Sequence, residues 1–438
     1  MKVSTKNENG TTPPSGRQTD NCDGPTHDDD FSQSFPDGGL SAWTVVFGSF
    51  CSMFCVYGII NTSSVFEWYF AAHQLADYSS SQIGWIFSLY LFMVFFVGIQ
   101  MGPIFDRHGP RVLVALGSVM IFTSLHLLSV CTKYYQILLS YSILGGLGGA
   151  LINPPAFAAI AHFFDSRRGL ATGIASTAGS IGGVVFPQLL HHTLPTVGFA
   201  WSMRILAFIL LALSSLSVVF LRSRLPRPGG GLKAIWPDLS IFRQPKFTLV
   251  VIGIFFMEWG LFVPVTFIIS HAAAHAFHTV NSYSLLSIFN AGQVFGMLIP
   301  GMLADAFGRF NIIIISISLC VVSVLGLWLP SQDSAGLLIS FAIIFGFAGG
   351  SNLSLIPVCV GQLRDAKDYG RFYGTALMGA SFGTLTSVPI GGALLDIGKE
   401  ETGWRALILF SGLSYTVALG CYLAVRLMAV GPKFKAVF

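Results

Sequence analysis

The chain has 438 residues, of which 53% are hydrophobic and only 10% charged, with 24 basic against 20 acidic side chains, a net charge of +4 and a mean hydropathy of +0.69. A soluble domain carries about 25% charged residues to keep its surface in water, so a water-soluble protein of this size is excluded and a polytopic membrane protein is indicated. Nucleic-acid binding is excluded with it, because the lysines and arginines are scattered singly between apolar runs and form no basic face.

Residues 1–40 are polar, dotted with proline and glycine and nearly free of aliphatics, which predicts a disordered tail that cannot offset its ordering entropy by burial. From Trp43 onward, apolar runs of the length needed to cross about 30 Å of hydrocarbon as helix recur twelve times. They fall near 43–66, 83–105, 112–131, 135–161, 169–191 and 201–221, then near 247–270, 282–304, 311–330, 335–361, 372–396 and 404–427. The fold class expected is therefore an all-α membrane protein, with six-helix bundles over 41–221 and 247–428. A basic, Pro- and Gly-rich linker joins them over 222–246, with a short surface helix around Ala234 to Phe242, and a short tail follows over 429–438. If both termini face the cytoplasm, 20 of the 24 lysines and arginines lie inside and only Lys133, Arg204, Lys399 and Arg405 outside, which sets the orientation by the positive-inside rule.

The two bundles echo one another. Gly102-Pro-Ile-Phe-Asp106-Arg107-His-Gly109-Pro-Arg111 follows the second run and Gly301-Met-Leu-Ala-Asp305-Ala-Phe-Gly308-Arg309 the eighth; Asp106 and Asp305 are 199 residues apart, as are Asn153 and Asn352. Parallel six-helix repeats are an architecture of secondary transporters. Asp106 sits where a helix end meets a basic turn, so it can pair with Arg107 or Arg111 or cap a neighbouring helix. Such charges hold one state of a transporter closed, or simply anchor the interface and the orientation.

These elements carry a resemblance. The segments at 102–111 and 301–309 resemble the signature of the major facilitator superfamily. Asp37-Gly-Gly-Leu-Ser-Ala-Trp43, and Phe163-Phe-Asp-Ser-Arg167-Arg168-Gly-Leu-Ala-Thr-Gly173, look like the two signatures of its monocarboxylate-porter branch in fungal form. The likeness covers residues 37 to 428. It implies twelve transmembrane helices in two six-helix pseudo-repeats, alternating access, a gating role for Asp106, Arg107, Arg111, Arg167, Arg168, Asp305 and Arg309, and a cavity lined by the first, fourth, seventh and tenth helices.

Those four helices hold Asn61, Asn153, Glu258 with Trp259, and Asn352, the candidate substrate-binding set, to which Gln293 in the eighth is added. An ionisable group inside a span costs roughly 2.5–3.5 kcal/mol on insertion scales and ordinarily faces a pathway. Glu258 is read as the only acid well inside the spans and as the site of proton coupling; each asparagine serves either cargo or a helix–helix hydrogen bond. Lactate-type members of the resembled branch place a lysine late in the first span and an Asp/Arg pair in the eighth. Here those positions hold Asn61, Gln293 and Met297, so the resemblance does not extend to lactate or pyruvate.

The remaining motifs predict no chemistry. The clusters Gly145-Gly-Leu-Gly-Gly149 and Gly179-Ser-Ile-Gly-Gly183 lie within spans and read as close-packing helix faces, not phosphate loops. His271, His275 and His278 share one helix face, a spacing that suits a metal ion, but no carboxylate or cysteine stands beside them and no metal is expected. The seven cysteines, Cys22, Cys51, Cys55, Cys131, Cys320, Cys359 and Cys421, show no paired spacing and read mostly as small apolar residues. The expectation is a non-enzymatic, monomeric secondary transporter in the plasma membrane or an internal membrane. It moves a neutral or weakly acidic metabolite, by efflux or by nutrient uptake, with protons as the coupling ion and no cofactor. The alternatives are a proton-linked monocarboxylate symporter and a non-transporting substrate sensor.

Overall fold

A computed structural model of the chain describes residues 38–164, 167–224, 239–275, 282–331, 334–363, 369–397 and 400–431. The apolar runs become helices because only a helix satisfies its own backbone hydrogen bonds in lipid. They are α1 (Gly39–Ala72), α2 (Ser80–Gly98), α3 (Pro110–Leu128), α4 (Tyr134–Ile160), α5 and α6 (together Leu170–Phe220), α7 (Pro245–Ala274), α8 (Tyr283–Ala304), α9 (Arg309–Trp328), α10 (Ala335–Gln362), α11 (Tyr373–Leu395) and α12 (Glu401–Val430). Pro110 and Pro245 stand in the first turns of α3 and α7, where their missing N–H costs nothing. α2 opens on a capping box in which Gln82 N donates to Ser79 Oγ at 3.3 Å and Ser79 N to Gln82 Oε1 at 3.0 Å.

Two expected boundaries move. The apolar stretch Leu170–Phe220 runs on for 51 residues, about 77 Å of helix at 1.5 Å per residue and more than twice the hydrocarbon thickness. It crosses twice because Gly198 breaks it with φ 76° and ψ 173°. Residues 170–197 run parallel to α1, with Gly179 against Tyr57 and Gly183 against Asn61; residues 199–220 run antiparallel, with Phe220 against Gly48 and the Leu210 carbonyl accepting from the Cys55 thiol. The second change is at α1. It turns at Asn61–Thr62 and continues as Ser63–Ala72 rather than ending near residue 66. Of the expected linker, Leu239–Arg243 forms a 3₁₀ turn and α7 begins at Pro245, while residues 225–238 lie outside the described residues, as do the tails 1–37 and 432–438.

Packing follows the repeat. α1 lies against α5 and α6, α2 against α4, and α3 against α6; six helices later, α7 lies against α11 and α12, α8 against α10, and α9 against α12. The halves meet through two symmetry-equivalent pairs, α2 with α11 and α5 with α8, and through the Ser63–Ala72 segment of α1 against α7. Gly109 and Gly308, the repeated motif glycines, start α3 and α9 with φ of 78° and 92°. That left-handed conformation is open to glycine at little cost, which explains why both motifs carry one. Below, the near face is the end where α1 begins and α12 finishes, and the far face is the opposite end.

Candidate substrate layer and far-face seal

Halfway along the bundle, four helices bring uncharged polar groups and one acid to the same depth. Glu258 lies 13 residues into α7 and is 5% exposed; Asn153 of α4 and Asn352 of α10 are 6% and 0% exposed. Tyr57 of α1 stands beside Asn153 and within electrostatic range of Glu258, and Tyr415 and Tyr422 of α12 flank Glu258 from the other side. Asn352 donates from Nδ2 to Cys320 Sγ of α9 at 3.3 Å, with Tyr415 next to both. Glu258 Oε2, Asn153 Oδ1 and Asn352 Oδ1 are buried without a hydrogen bond. Each such group costs about 1–3 kcal/mol if it stays unmet. Among the described residues no lysine or arginine joins it; Arg426, the basic side chain that is buried, lies towards the end of α12 and donates to Asn311.

Three members of the sequence-derived set sit elsewhere. Trp259 turns into the C-terminal half, where its Nε1 donates to Thr386 Oγ1 at 2.8 Å and its ring packs on Phe255, Phe256 and Phe410. Asn61 and Gln293 bind each other across the halves, Asn61 Nδ2 donating to Gln293 Oε1 at 3.2 Å, and Ser180 Oγ donates to the same oxygen at 2.7 Å. They belong to a seal on the far side of the layer. Further bonds complete it: Asn290 Nδ2 to the Gly183 carbonyl at 3.2 Å, Gln188 Nε2 to Ser287 Oγ at 3.0 Å, and Ser81 Oγ to the Pro389 carbonyl at 2.9 Å. Ser64 Oγ donates to the Val265 carbonyl and Ser270 Oγ to Glu67 Oε2.

Glu67 corrects the reading of Glu258 as the only acid inside the spans: it lies within the helix Ser63–Ala72 and is 3% exposed. It escapes notice if α1 is ended at residue 66, although Ser-Ser-Val-Phe-Glu-Trp-Tyr-Phe-Ala-Ala continues the apolar run. Asn290, Ser180 and the layer tyrosines were missed for another reason. Singly, a serine, asparagine or tyrosine in a span carries no distinguishing pattern.

At the near face, Arg111 is exposed and donates from Nε to the Leu221 carbonyl at 3.4 Å, capping the end of α6. Arg167 is exposed at the start of α5, and Arg309 opens α9 within electrostatic range of Cys359. The side chains of Asp106, Arg107, Arg168 and Asp305 lie outside the described part. Of the histidine trio, His278 is not among the described residues; His271 packs between Trp328 and Trp404, and His275 turns a ring nitrogen to the His271 carbonyl at 2.9 Å.

A helical membrane protein of two repeated six-helix halves, with a buried polar layer sealed from one face, has the build of an alternating-access transporter. The sequence profile described as Major Facilitator Superfamily matches residues 45–273 and 248–436, and the chain belongs to that family. It is a multi-pass membrane transport protein, not an enzyme. Over 405 residues it is 38% identical to the MFS-type transporter opdF of Penicillium oxalicum, covering 91% of this chain and 94% of that one. It is 35% identical to the Riboflavin transporter MCH5 of Saccharomyces cerevisiae, covering 93% and 84%, and 36% identical to the Fujikurins efflux protein of Gibberella fujikuroi, covering 92% and 86%. The solved structure of the nucleoside transporter NupG superposes with a TM-score of 0.67 at 15% identity over 88% of this chain and 99% of that one, a likeness of fold.

Proposed function

We propose that the protein moves a neutral or weakly acidic small organic molecule across a membrane, binding it in the layer of Tyr57, Asn153, Glu258 and Asn352 and exposing that layer alternately to the two faces. The rocking units are the halves 41–221 and 247–428, and the functional unit is a monomer. The observation that carries the reading is the charge of the layer: one buried carboxyl, amides and phenols, and no cation among the described residues. A small carboxylate needs a fixed positive charge to offset its desolvation, which argues against lactate-type cargo despite the likeness to monocarboxylate porters. The names of the relatives, a riboflavin transporter and an efflux protein, fit a cargo larger and less charged than lactate, in either direction of movement.

The near face is the cytoplasmic one, on the asymmetry of 20 against 4 basic residues, and the conformation described here is sealed on the opposite face. Glu258 is the coupling group, exchanging a proton when the layer changes sides. Comparing metabolites in cells and medium with and without the gene identifies the cargo, and proteoliposomes then test the mechanism. Wild-type protein should give counterflow that a pH gradient converts into net accumulation. Glu258→Gln should keep counterflow and lose the response to the gradient. Lactate flux above that of empty vesicles would refute the cargo class, and a retained gradient response in Glu258→Gln would refute the coupling role.

A further inference from the structure

We propose that Glu67 is a proton-binding site of the far gate, and that the far face closes only with its carboxyl protonated. The gate element is the last part of α1. It is set off from the rest of the helix by the turn at Asn61–Thr62, where Thr62 leaves helical geometry with φ −100° and ψ 2°, so Ser63–Ala72 is a short segment hinged at its base. It is fastened to α7 of the opposite half by two side-chain bonds, Ser64 to the Val265 carbonyl and Ser270 to the Glu67 carboxyl. Every other bond of the seal joins neutral groups. Glu67 is the one member that can change charge, and the closed seal leaves it 3% exposed.

Among the described residues no lysine or arginine lies beside it. The segment packs against α7 and α2. The titratable groups that α7 brings to this end are His271, whose ring lies against Trp328 and Trp404, and His275; α2 contributes only Tyr90, which is buried deeper. On the segment itself and beside it are Tyr69 and His73, which stack on one another, and Trp68 meets Tyr283 of α8, which in turn meets His191 of α5. Asp77 in the following loop is exposed and carries the same charge sign as an ionised Glu67.

A carboxylate pressed between two apolar helices without a counter-ion pays a large desolvation cost. A carboxylic acid accepting from Ser270 does not. Closure therefore takes one proton from the far-side solution, which forms the O–H bond on Glu67, and reopening returns it to the same solution. Glu67 so ties the resting position of the gate to far-side pH without itself carrying a proton across. It is distinct in place and role from Glu258.

The test reads the gate directly and needs no cargo. Spin labels are placed at Ala72→Cys on the gate segment and Ile397→Cys at the far end of the other half, both exposed. Cys22 and Cys421 are replaced by serine, and the five buried thiols are retained. Distance distributions are then measured in lipid nanodiscs from pH 5 to pH 8. The expected result is a short-distance population that grows as pH falls. In a Glu258→Gln background, which removes the other buried carboxyl, Glu67→Gln, neutral and able to accept from Ser270, should hold the short distance at every pH, while Glu67→Asp should keep the pH response. The proposal is overturned if the distance in the Glu258→Gln background does not move with pH, or if adding Glu67→Gln to that background leaves the response in place. Because Glu258 is absent from the background and no flux is measured, these outcomes are independent of the cargo and coupling assignments above.

Discussion

Asn153 and Asn352 show how a residue acquires meaning from its twin. Each alone is a polar side chain in an apolar helix, as apt to bridge helices as to bind cargo; standing 199 residues apart, they take equivalent places on α4 and α10 and both keep a carbonyl oxygen unbonded in the layer. Replacing either by alanine removes a hydrogen bond worth about 0.5–1.5 kcal/mol, so the KM for cargo counterflow should rise roughly two- to tenfold with the maximal rate and the melting temperature little changed. Loss of expression in both variants would instead mark them as structural. The pair was legible because repetition doubles a weak signal. Gln293, Asn61 and Trp259 were legible as residues at depth but not in role, since a helical periodicity does not say whether a face turns to a cavity, to the opposite half or to its own bundle.

At the scale of elements, the glycine faces decide how close helices come and therefore which state they favour. α8 and α10 touch backbone to backbone: a Cβ on Gly296 would lie 1.9 Å from the Phe347 carbonyl oxygen, and one on Gly346 would lie 2.2 Å from that of Phe289. Gly296→Ala must push the pair apart, which costs about 1–3 kcal/mol and should lower the melting temperature in detergent, whereas Gly301→Ala, with nothing within 4 Å of its Cβ, should leave it unchanged. Gly183 holds a different kind of contact, between halves. Its Cβ would meet Asn290 Oδ1 at 2.3 Å and Asn61 Cβ at 2.7 Å, inside the far-face seal, so Gly183→Ala should prop that face open. Thiol-reagent access from the far side to an Asn61→Cys reporter should then rise several-fold, and unchanged access would show that the seal does not depend on this approach.

For the whole molecule, the twelve crossings and the charge distribution make a joint statement about sidedness. An even number of crossings puts both ends of the helical domain on one face, and the positive-inside rule predicts that this face is the cytoplasmic one. A fluorescent tag fused after Phe438 and another placed before the first helix should both resist an impermeant quencher in intact cells and yield to it after permeabilisation. Opposite behaviour of the two tags would require an odd number of crossings and contradict the double pass around Gly198. The same scale explains the seal. Bonds of α1 with α7 and α8, of α5 with α8, and of α2 with α11 close the far side together, so opening one requires moving a whole half.

Composition and periodicity alone determined that this chain lives in a bilayer, how many times it crosses and that it is built twice, because each of these depends on the solvent preference of successive residues and is written locally. The extension of the fifth span to the break at Gly198, the recruitment of Glu67 into α1 and the separation of Asn61 and Gln293 from the depth of Asn153, Glu258 and Asn352 were decided only by the tertiary structure. Those features depend on which faces meet across hundreds of residues, and the low charge that announces a membrane protein carries no record of that pairing. What it does record is scarcity: among the described residues two acids, Glu67 and Glu258, are buried between helices, and the fold sets one at the far-face contact of the halves and the other at mid-depth.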